Sequence, residues 1–490
     1  MWTNKILRTI GAVSALALGA CGGGDSTPAP GALSTVVGPI TGFGSVIVNG
    51  VRFDDANATV TIDDALLTRD RLRLGMVVQV RGRVQADGTG VADSIRYDSC
   101  VEGPITAMNR VQNTVTVLGQ TVHVDDGTVF DGVTLRDMNS FAIGDLVEIS
   151  CLPDPANDGW RATRMERRGT FVTGVSEVEV GGLVSNLNLA LGTCLVGGTP
   201  VDFSGIAPAD RPAGLANGMT IDAKGRQDAN GIVTADRLRD RDRDRINTSD
   251  GDGMEVEGYV SSFVSLSNFK VDSQAVNAAN AVFANGTAAD LRNGLKVEVE
   301  GTLSGGVLVA KLVVIRLQSN VRIEAGMQKK DMTGGTVTLL GRPVRVNADT
   351  VLIDRTADRN QPRTITLAAL NVADRLEVKG YKDGAGNLVA AYLERTEADP
   401  LVVVKAAADA KTPTTQLTLA GINVATGAST RYRDVDGNLI DATSFYRAVQ
   451  VPPAVPTSVH ARGVVANLAT NVVDATRSTS TIGELEIGED

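Results

Sequence analysis

The sequence predicts an all-β protein organised as a tandem array of about six small barrels, and three observations support this fold class. Glycine contributes 53 of the 490 residues, whereas aromatic residues account for only 4%. Valine, isoleucine and threonine are frequent and no long segment has clean helical periodicity, a combination typical of short strands joined by turns. One strand motif also recurs roughly every 70 to 80 residues, which indicates repeated domains.

The recurring motif is Gly-x-x-Val-x-Val-x-Gly, which is clearest at 75–82 and 294–301. Its variants end at Cys151, Gly225, Gly380 and Gly463. Apolar and polar residues alternate within it, as expected of a strand with one buried face. The polar residues at its centre are Gln79, Glu148, Asp222, Glu298, Glu377 and His460. We expect these six side chains to face solvent.

Other elements of each copy complete a five-stranded layout. A copy opens with a motif such as Gly38-Pro-Ile-Thr, and a hairpin with glycine in its turn follows, as at Gly50. A short turn with one apolar residue, such as Leu72, precedes the motif strand, and a fifth strand follows it. Five short strands with a helical turn before the fourth are typical of an OB-like Greek-key barrel. In such a barrel, strands one and four pair in antiparallel orientation.

The order of these elements resembles an uncharacterised family of OB-like repeat domains, a domain of unknown function found in tandem in Gram-negative bacterial lipoproteins. The resemblance covers about Val36 to Ala475, with strong motifs in copies one to four and weak ones in copy six. It implies a fold and an exported setting, and it brings no activity or catalytic residues. The alternative is a β-rich solenoid with one continuous core. Uneven repeat spacing disfavours a solenoid, because each of its units must stack on the next.

The repeats define the domain organisation. The predicted boundaries are a signal peptide at 1–20, a flexible tether at 21–34, barrels at 35–98, 99–168, 178–246, 253–317 and 320–396, a degenerate sixth barrel at 400–475 and an acidic tail at 476–490. We expect the tail from Ser478 onward to be loose.

The first residues predict export and a lipid anchor. Lys5 and Arg8 precede a short apolar run, which is too short for a spanning helix of about 20 residues. The run ends in Leu18-Gly-Ala-Cys21, which resembles the lipobox of bacterial lipoproteins. This resemblance implies that Cys21 becomes the first mature residue and carries the lipid. Residue 22 is glycine and not the aspartate of an inner-membrane retention signal, so we expect the outer membrane, on either leaflet.

Charge limits the possible partners. The chain has 47 basic and 57 acidic residues, and removal of the signal peptide leaves 45 basic against the same 57 acidic residues. An acidic protein repels polyphosphate, so we expect no nucleic-acid binding. Anionic headgroups would repel it too, so the membrane contact would depend on the acyl chains at Cys21.

Three cysteines remain after Cys21. Cys151 ends the fourth strand of copy two and Cys100 precedes the first strand of the same copy, so we predict a disulfide between them. A Cys151–Cys194 bridge or no bridge at all are the alternatives. Cys194 lies in an apolar strand and is expected to be a buried free thiol.

Candidate catalytic and metal sites are weak. His123 and His460, the two histidines, occupy polar strand positions, so we expect both to be solvated. The run 237–245 alternates arginine with aspartate, and two further acids follow it. We interpret this run as a charged strand end and solvated linker. A weak calcium site is the alternative, formed by Asp240, Asp242, Asp244, Asp250 and Asp252, although the spacing departs from a calcium loop.

These observations predict a non-enzymatic envelope lipoprotein without a cofactor. No motif pairs a nucleophile with a base or gathers metal ligands. We expect the repeated barrels to serve protein interaction or scaffolding in the envelope. Binding of a polysaccharide or another envelope polymer through barrel faces is the alternative, because OB-like barrels often bind extended polymers.

Overall fold

A computed structural model describes residues 31–85, 87–110, 112–133, 137–155, 159–241, 248–467, 471–476 and 483–488. Six barrels account for nearly all of these residues. Barrel 1 contains β1 (Ala32–Gly42), β2 (Val46–Val48), β3 (Val51–Asp54), β4 (Thr59–Ile62), β5 (Ala65–Leu67), β6 (Val77–Val84) and β7 (Thr89–Tyr97). Barrel 2 contains β8 (Val101–Asn109), β9 (Thr114–Val117), β10 (Gln120–His123), β11 (Val129–Asp131), β12 (Asp145–Asp154) and β13 (Gly159–Thr170).

The next two barrels have the same order of elements. Barrel 3 contains β14 (Glu177–Asn188), β15 (Thr193–Val196), β16 (Thr199–Asp202), β17 (Thr220–Gln227) and β18 (Val233–Asp240). Barrel 4 contains β19 (Gly253–Ser265), β20 (Asn268–Val271), β21 (Gln274–Asn277), β22 (Val282–Ala284), β23 (Lys296–Ser304) and β24 (Val307–Ile315).

The last two barrels complete the described chain. Barrel 5 contains β25 (Val321–Asp331), β26 (Thr336–Leu339), β27 (Arg342–Arg345), β28 (Val351–Asp354), β29 (Arg363–Thr364), β30 (Arg375–Lys382) and β31 (Leu388–Thr396). Barrel 6 contains β32 (Val402–Thr412), β33 (Gln416–Leu419), β34 (Ile422–Ala425), β35 (Arg431–Arg433), β36 (Leu439–Ile440), helix α1 (Ala442–Ala448), β37 (Ser458–Asn467), β38 (Val472–Asp474) and β39 (Glu484–Gly488).

Each barrel closes in the same way. In barrel 1, β1 pairs antiparallel with β2 and β6, β2 pairs with β3, β3 runs parallel to β7, and β7 pairs with β6. The circle of five strands and the antiparallel pairing of strands one and four are those of an OB-like barrel. The corresponding strands of the other barrels pair likewise, which confirms the predicted fold class.

The hairpins between strands two and three explain the recurrent turn glycine. In barrel 1, Asn49 has φ 51° and Gly50 has φ 80°, and two successive positive φ values define a type I′ turn. This turn matches the twist of the strands it joins, and glycine adopts it without steric cost. Barrel 4 makes the corresponding turn with Asp272 (φ 47°) and Ser273 (φ 69°), so glycine is favoured there but not required.

A short helical turn plugs one end of the barrel before the fourth strand. The residue that ends the turn is fully buried in barrels 1 and 5, where it is Leu72 and Leu370. Barrel 6 uses α1 instead and buries Phe445 and Tyr446. Within the described residues, no helix has both the length and the apolar character that crossing a bilayer requires.

The barrels join in three pairs through their first strands. Strand β1 runs parallel to β19, which links barrels 1 and 4. Antiparallel pairing of β8 with β14 links barrels 2 and 3, and that of β25 with β32 links barrels 5 and 6. The resulting sheets have 13, 11 and 15 strands. The barrels are therefore docked side by side and do not share one continuous solenoid core.

The prediction that the central polar residues of the motif strand face solvent is wrong for most barrels. Glu148, Asp222, Glu298 and Glu377 are 3 to 8% exposed. Their side chains do point out of their own barrels, as the alternation predicts. The outer faces of the barrels, however, pack against neighbouring barrels. The alternating pattern predicts which residues face the interior of their own barrel. It carries no information about contacts between barrels.

The two chain ends of the array also differ from expectation. The tether was expected to extend to residue 34, but β1 begins at Ala32. The acidic tail was expected to be loose, but β39 pairs with β37 and β35. Leu485 enters the core of barrel 6, and Glu484 forms ion pairs with Arg433 at 3.0 Å and Arg462 at 3.4 Å. One apolar anchor and two ion pairs therefore order this part of the tail.

Candidate functional site

A cavity of about 2080 Å³ lies between the barrels. Barrels 1, 2, 4 and 5 form its walls, with Asn49, Asp125, Glu255 and Tyr392 as representative lining residues, and barrel 6 contributes Lys405. Sites for small molecules typically measure about 300 to 1,000 Å³. This cavity is therefore large enough for a segment of an extended ligand.

The outer face of barrel 4 forms the acidic wall of the cavity. Glu255 and Glu257 alternate along β19, and Glu298 and Glu300 alternate along β23. Glu257 lies directly opposite Glu298, and Glu255 lies directly opposite Glu300. Side chains two residues apart on a strand share a face, so all four carboxylates belong to one surface. Like charges directly opposite each other destabilise a sheet unless a cation separates them.

One of these two acidic pairs has its cations nearby. Lys296 Nζ lies 2.8 Å from Glu257 Oε1, and Arg316 contacts both Glu257 and Glu298. Burial raises the pKa of Glu257, but the attraction of Lys296 and Arg316 outweighs it, and the net pKa is lowered. Burial raises the pKa of Glu298 to about 7 despite the opposing effect of Arg316.

The other pair lacks an equivalent cation. Glu255 is 8% exposed, and its Oε1 has no hydrogen-bond partner. Burial, followed by repulsion from Glu298 and Glu300, raises the pKa of Glu255 well above its ordinary range. The side chain of Asn49 of barrel 1 forms a hydrogen bond with this carboxyl group, and Asn49 Oδ1 lies against Gly38 of β1. Glu255 therefore lines the cavity with one carboxylate oxygen that has no donor.

The opposite walls are neutralised by ion pairs within barrel 2 and by contacts between barrels. Arg161 of barrel 2 lies 3.1 Å from Asp125 and 2.7 Å from Asp154, and its guanidinium lies over the ring of Tyr259 of barrel 4. Lys405 of barrel 6 lies 3.1 Å from Asp126 of barrel 2. These contacts hold the barrels around the cavity.

A second charged region, which we call the junction, lies where barrels 1, 2 and 3 meet. Arg239 lies 2.7 Å from Asp98 of barrel 1 and 2.8 Å from Asp222 of its own barrel, and Arg241 lies 2.6 Å from Asp222. Both arginines are less than 10% exposed. The prediction of a solvated strand end is therefore wrong for Arg239 and Arg241, because barrel 1 covers them.

The structure describes three of the five residues of the calcium alternative, namely Asp240, Asp250 and Asp252. Asp250 accepts backbone N–H groups of Gly305 and Gly306, and Asp252 accepts that of Ser249, so both stabilise turns. Asp240 pairs with Ile221 at the end of β18. Asp242 and Asp244 lie outside the described residues, within which no group of three or more potential ligands is placed to hold a metal ion.

The cysteines lie away from the cavity. Cys100 and Cys151 form a disulfide with a Cα–Cα distance of 5.9 Å, which is the predicted pair. Cys100 also accepts the backbone N–H of Gly181 through its carbonyl, so the bridge adjoins the contact with barrel 3. Cys194 is a free buried thiol, and burial raises its pKa to about 11. Cys21 lies outside the described residues.

Neither histidine is fully solvated. His123 is partly buried and lines the cavity. His460 is partly buried between barrels, and burial together with the charge of Arg462 lowers its pKa well below the ordinary value. For His460 the expectation fails for the same reason as for the motif glutamates, because barrel 5 lies against it, with Arg322 nearby.

Sequence analysis did not identify Glu255 or Asn49 as site residues. One signal was available in the repeats. The residue before the last glycine of the motif is Arg81, Lys224, Lys379 or Arg462 in barrels 1, 3, 5 and 6, and Ser150 in barrel 2. Barrel 4 has Glu300 there, an inversion of charge that marks its outer face.

The closed five-stranded units and the cavity between them define a multi-barrel protein of the OB-like class. The chain belongs to the family described as Domain of unknown function (DUF5666), whose model matches residues 36–96, 102–166, 257–313 and 329–394. The predicted resemblance is thereby confirmed. The matches fall on barrels 1, 2, 4 and 5, whereas the motifs pointed to copies one to four. No curated protein matches the chain.

Proposed function

We propose that this protein is a non-enzymatic lipoprotein of the bacterial outer membrane, anchored through Cys21, whose barrels bind another envelope protein. The observation that carries the interaction is the cavity of about 2080 Å³ bounded by five barrels. A linear spacer needs no such arrangement, because its barrels would only have to follow one another. A body whose barrels surround an open cavity with both apolar and charged lining residues is suited to receiving a segment of a partner.

The lining favours a protein partner over a polysaccharide. Sugar rings usually stack on aromatic side chains, and the aromatic residues that line the cavity are Tyr259 and Tyr392. Tyr259 is 5% exposed and is covered by Arg161. Charged residues such as Asp125, Glu255 and Lys296 also line the cavity, and charged surfaces give specificity for charged peptide segments.

Cross-linking from intact cells tests the interaction. The full-length protein would be purified in detergent after cross-linking, and the captured proteins compared with those from cells that lack it. We expect one envelope protein to be enriched reproducibly and to bind the purified protein saturably. Saturable binding to a purified envelope polysaccharide, without an enriched protein, would replace this proposal with its alternative.

Metabolic labelling tests the anchor separately. Cells supplied with a clickable palmitate analogue should label the wild-type protein, and Cys21→Ser should abolish the labelling. Membrane fractionation should then place the wild-type protein with outer-membrane markers. Labelling of the Cys21→Ser protein, or recovery with inner-membrane markers, would contradict the proposed anchor or its location.

A further inference from the structure

We propose that the acidic wall of barrel 4 binds a primary ammonium group, carried by a lysine side chain of the partner, between Glu255 and Glu300. This inference rests on the proposed protein interaction and specifies its chemistry. It starts from one buried acceptor, Glu255 Oε1, which lacks a donor and belongs to a residue that lines the cavity, and from the second carboxylate, Glu300, directly opposite it. An ammonium group has three donors and no acceptor, so it can bind both carboxylates.

The other barrels show where this cation belongs. In barrel 3, Glu179 of the first strand lies directly opposite Lys224 of the fourth, with Nζ 3.6 Å from the carboxylate. Glu255 and Glu300 occupy the same two positions in barrel 4. Barrel 3 therefore supplies its own ammonium group, whereas barrel 4 presents a second carboxylate.

The corresponding cations of the remaining barrels are all engaged. Arg81 lies 4.0 Å from Asp252, Lys379 lies 3.6 Å from Glu377, and Arg462 lies 2.8 Å from Asp137. A basic residue at this position thus neutralises a nearby acid in four barrels. In barrel 4 the position faces the cavity and carries an acid in place of the cation, which is the arrangement expected where a ligand supplies the positive charge.

A lysine side chain fits this position better than a larger cation. Arginine occupies this position in barrels 1 and 6, but only barrel 3 also has a glutamate directly opposite on the first strand, and there the cation is the ammonium group of Lys224. The cavity is wide enough for the peptide that carries it. Lysine remains protonated at neutral pH, with an ordinary pKa of about 10.4.

Calorimetric titration of the full-length protein in detergent tests the site, with a tetralysine peptide blocked at both ends as the probe. We expect saturable binding to the wild type, weakened more than about tenfold in Glu255→Gln, because Glu255 is buried and removing one member of a buried charge pair is costly. Glu300→Lys should weaken binding as strongly, because it places a competing cation at the same position. Glu397→Gln is the matched control, since Glu397 is 62% exposed on barrel 5. The same peptide acetylated at every Nε should not bind.

Four outcomes decide the proposal. Absence of binding to the wild type, or equal binding to the wild type and both barrel 4 variants, would overturn it. Binding of spermidine without binding of the peptide would overturn the lysine assignment. If Glu300→Lys captures the cross-linked partner as well as the wild type does, the interaction stands and the ammonium site fails. Peptide binding lost in Glu300→Lys, with capture of the partner lost in parallel, supports both.

Discussion

Barrels 3 and 4 place a glutamate at the same position of their first strand and treat it differently. Glu179 of barrel 3 is fully buried at the junction and faces Lys224, whereas Glu255 of barrel 4 borders the cavity and faces Glu300. Arg239 further neutralises the acids around Glu179. The difference teaches that the outer face of one barrel type can carry balanced or unbalanced charges. Balanced charges contact a neighbouring barrel, and under the ammonium-site proposal the unbalanced charges of barrel 4 receive the ligand.

The largest expected effect on stability comes from removing an arginine from the junction, where acidic and basic residues balance. Arg239→Met removes a cation shared by Asp98 and Asp222, leaving Arg96 as the partner of Asp98 and Arg241 as that of Asp222. Removing the sole partner of a buried ion pair typically costs about 3 to 5 kcal/mol. Because each acid keeps one arginine, we expect a loss at the lower end of that range, about 3 kcal/mol, in chemical denaturation. The control Arg226→Met breaks an exposed pair with Asp236 and should cost less than about 1 kcal/mol. Equal losses in the two variants would contradict the comparison.

Loss of the disulfide should follow in size. Replacing Cys100 and Cys151 with alanine opens a closed loop with a sequence separation of 51 residues. A bridge of this kind contributes about 2 to 4 kcal/mol to the free energy of unfolding. We expect reductant to lower the thermal midpoint of the wild type and to leave that of the double variant unchanged. Peptide binding at barrel 4 should persist in the double variant, because the bridge adjoins barrel 3 and not the cavity. An unaltered wild-type midpoint in reductant would refute this prediction.

The two acidic sites should also respond to pH over different ranges. Burial raises the pKa of Glu298 from 4.5 to about 7 and that of Glu179 to about 8. The folded protein therefore holds these protons more tightly than the unfolded chain does, and each contribution is complete below pH 4.5. It is lost as the pH rises, through about 7 for Glu298 and about 8 for Glu179.

Thermal unfolding between about pH 4 and pH 9 measures this dependence. Glu298→Gln should flatten the curve up to about pH 7, and Glu179→Gln should flatten it up to about pH 8. We expect the midpoint of the wild type to fall over both ranges by less than Arg239→Met lowers it, because Arg316 and Lys224 offset part of the burial. If the thermal midpoint rises with pH over this range, and substitution of either residue abolishes that rise, the predicted sign of the pH dependence is wrong.

The smallest expected effect is a gain in stability from a substitution in the Glu255–Glu300 pair of barrel 4, which has no cation beside it. Glu300→Lys recreates in barrel 4 the pair that Glu179 and Lys224 form in barrel 3. Opposite-charge pairs across strands contribute about 0.2 to 1 kcal/mol, so we expect a modest rise in the thermal midpoint. Glu300→Gln removes only the repulsion and should give a smaller rise. A fall in the midpoint of Glu300→Lys would show that barrel 4 does not lack a cation.

Sequence analysis was most successful inside a single barrel. The alternation at 75–82 and the Asn49-Gly50 turn depend on local geometry. The structure has the predicted strand at the first and the predicted hairpin at the second. The Cys100–Cys151 pair followed from strand order alone. Exposure of the outer positions was misjudged at Glu298 and His460, because which barrel covers which face depends on contacts between residues far apart in the chain. The acidic wall was missed for the same reason, since Asn49 and Glu255 are 206 positions apart in the sequence.

The pairing of β1 with β19 has a consequence for how the protein is made. Barrels 2 and 3 pair with each other and lie in the sequence between barrels 1 and 4, which also pair, so the two partnerships are nested. Barrel 1 keeps one strand edge unpaired until β19, the first strand of barrel 4, has been synthesised. An unpaired edge is a template for aggregation, and pairings distant in sequence form slowly. The time needed to synthesise barrels 2 and 3 therefore sets the interval during which β1 needs protection.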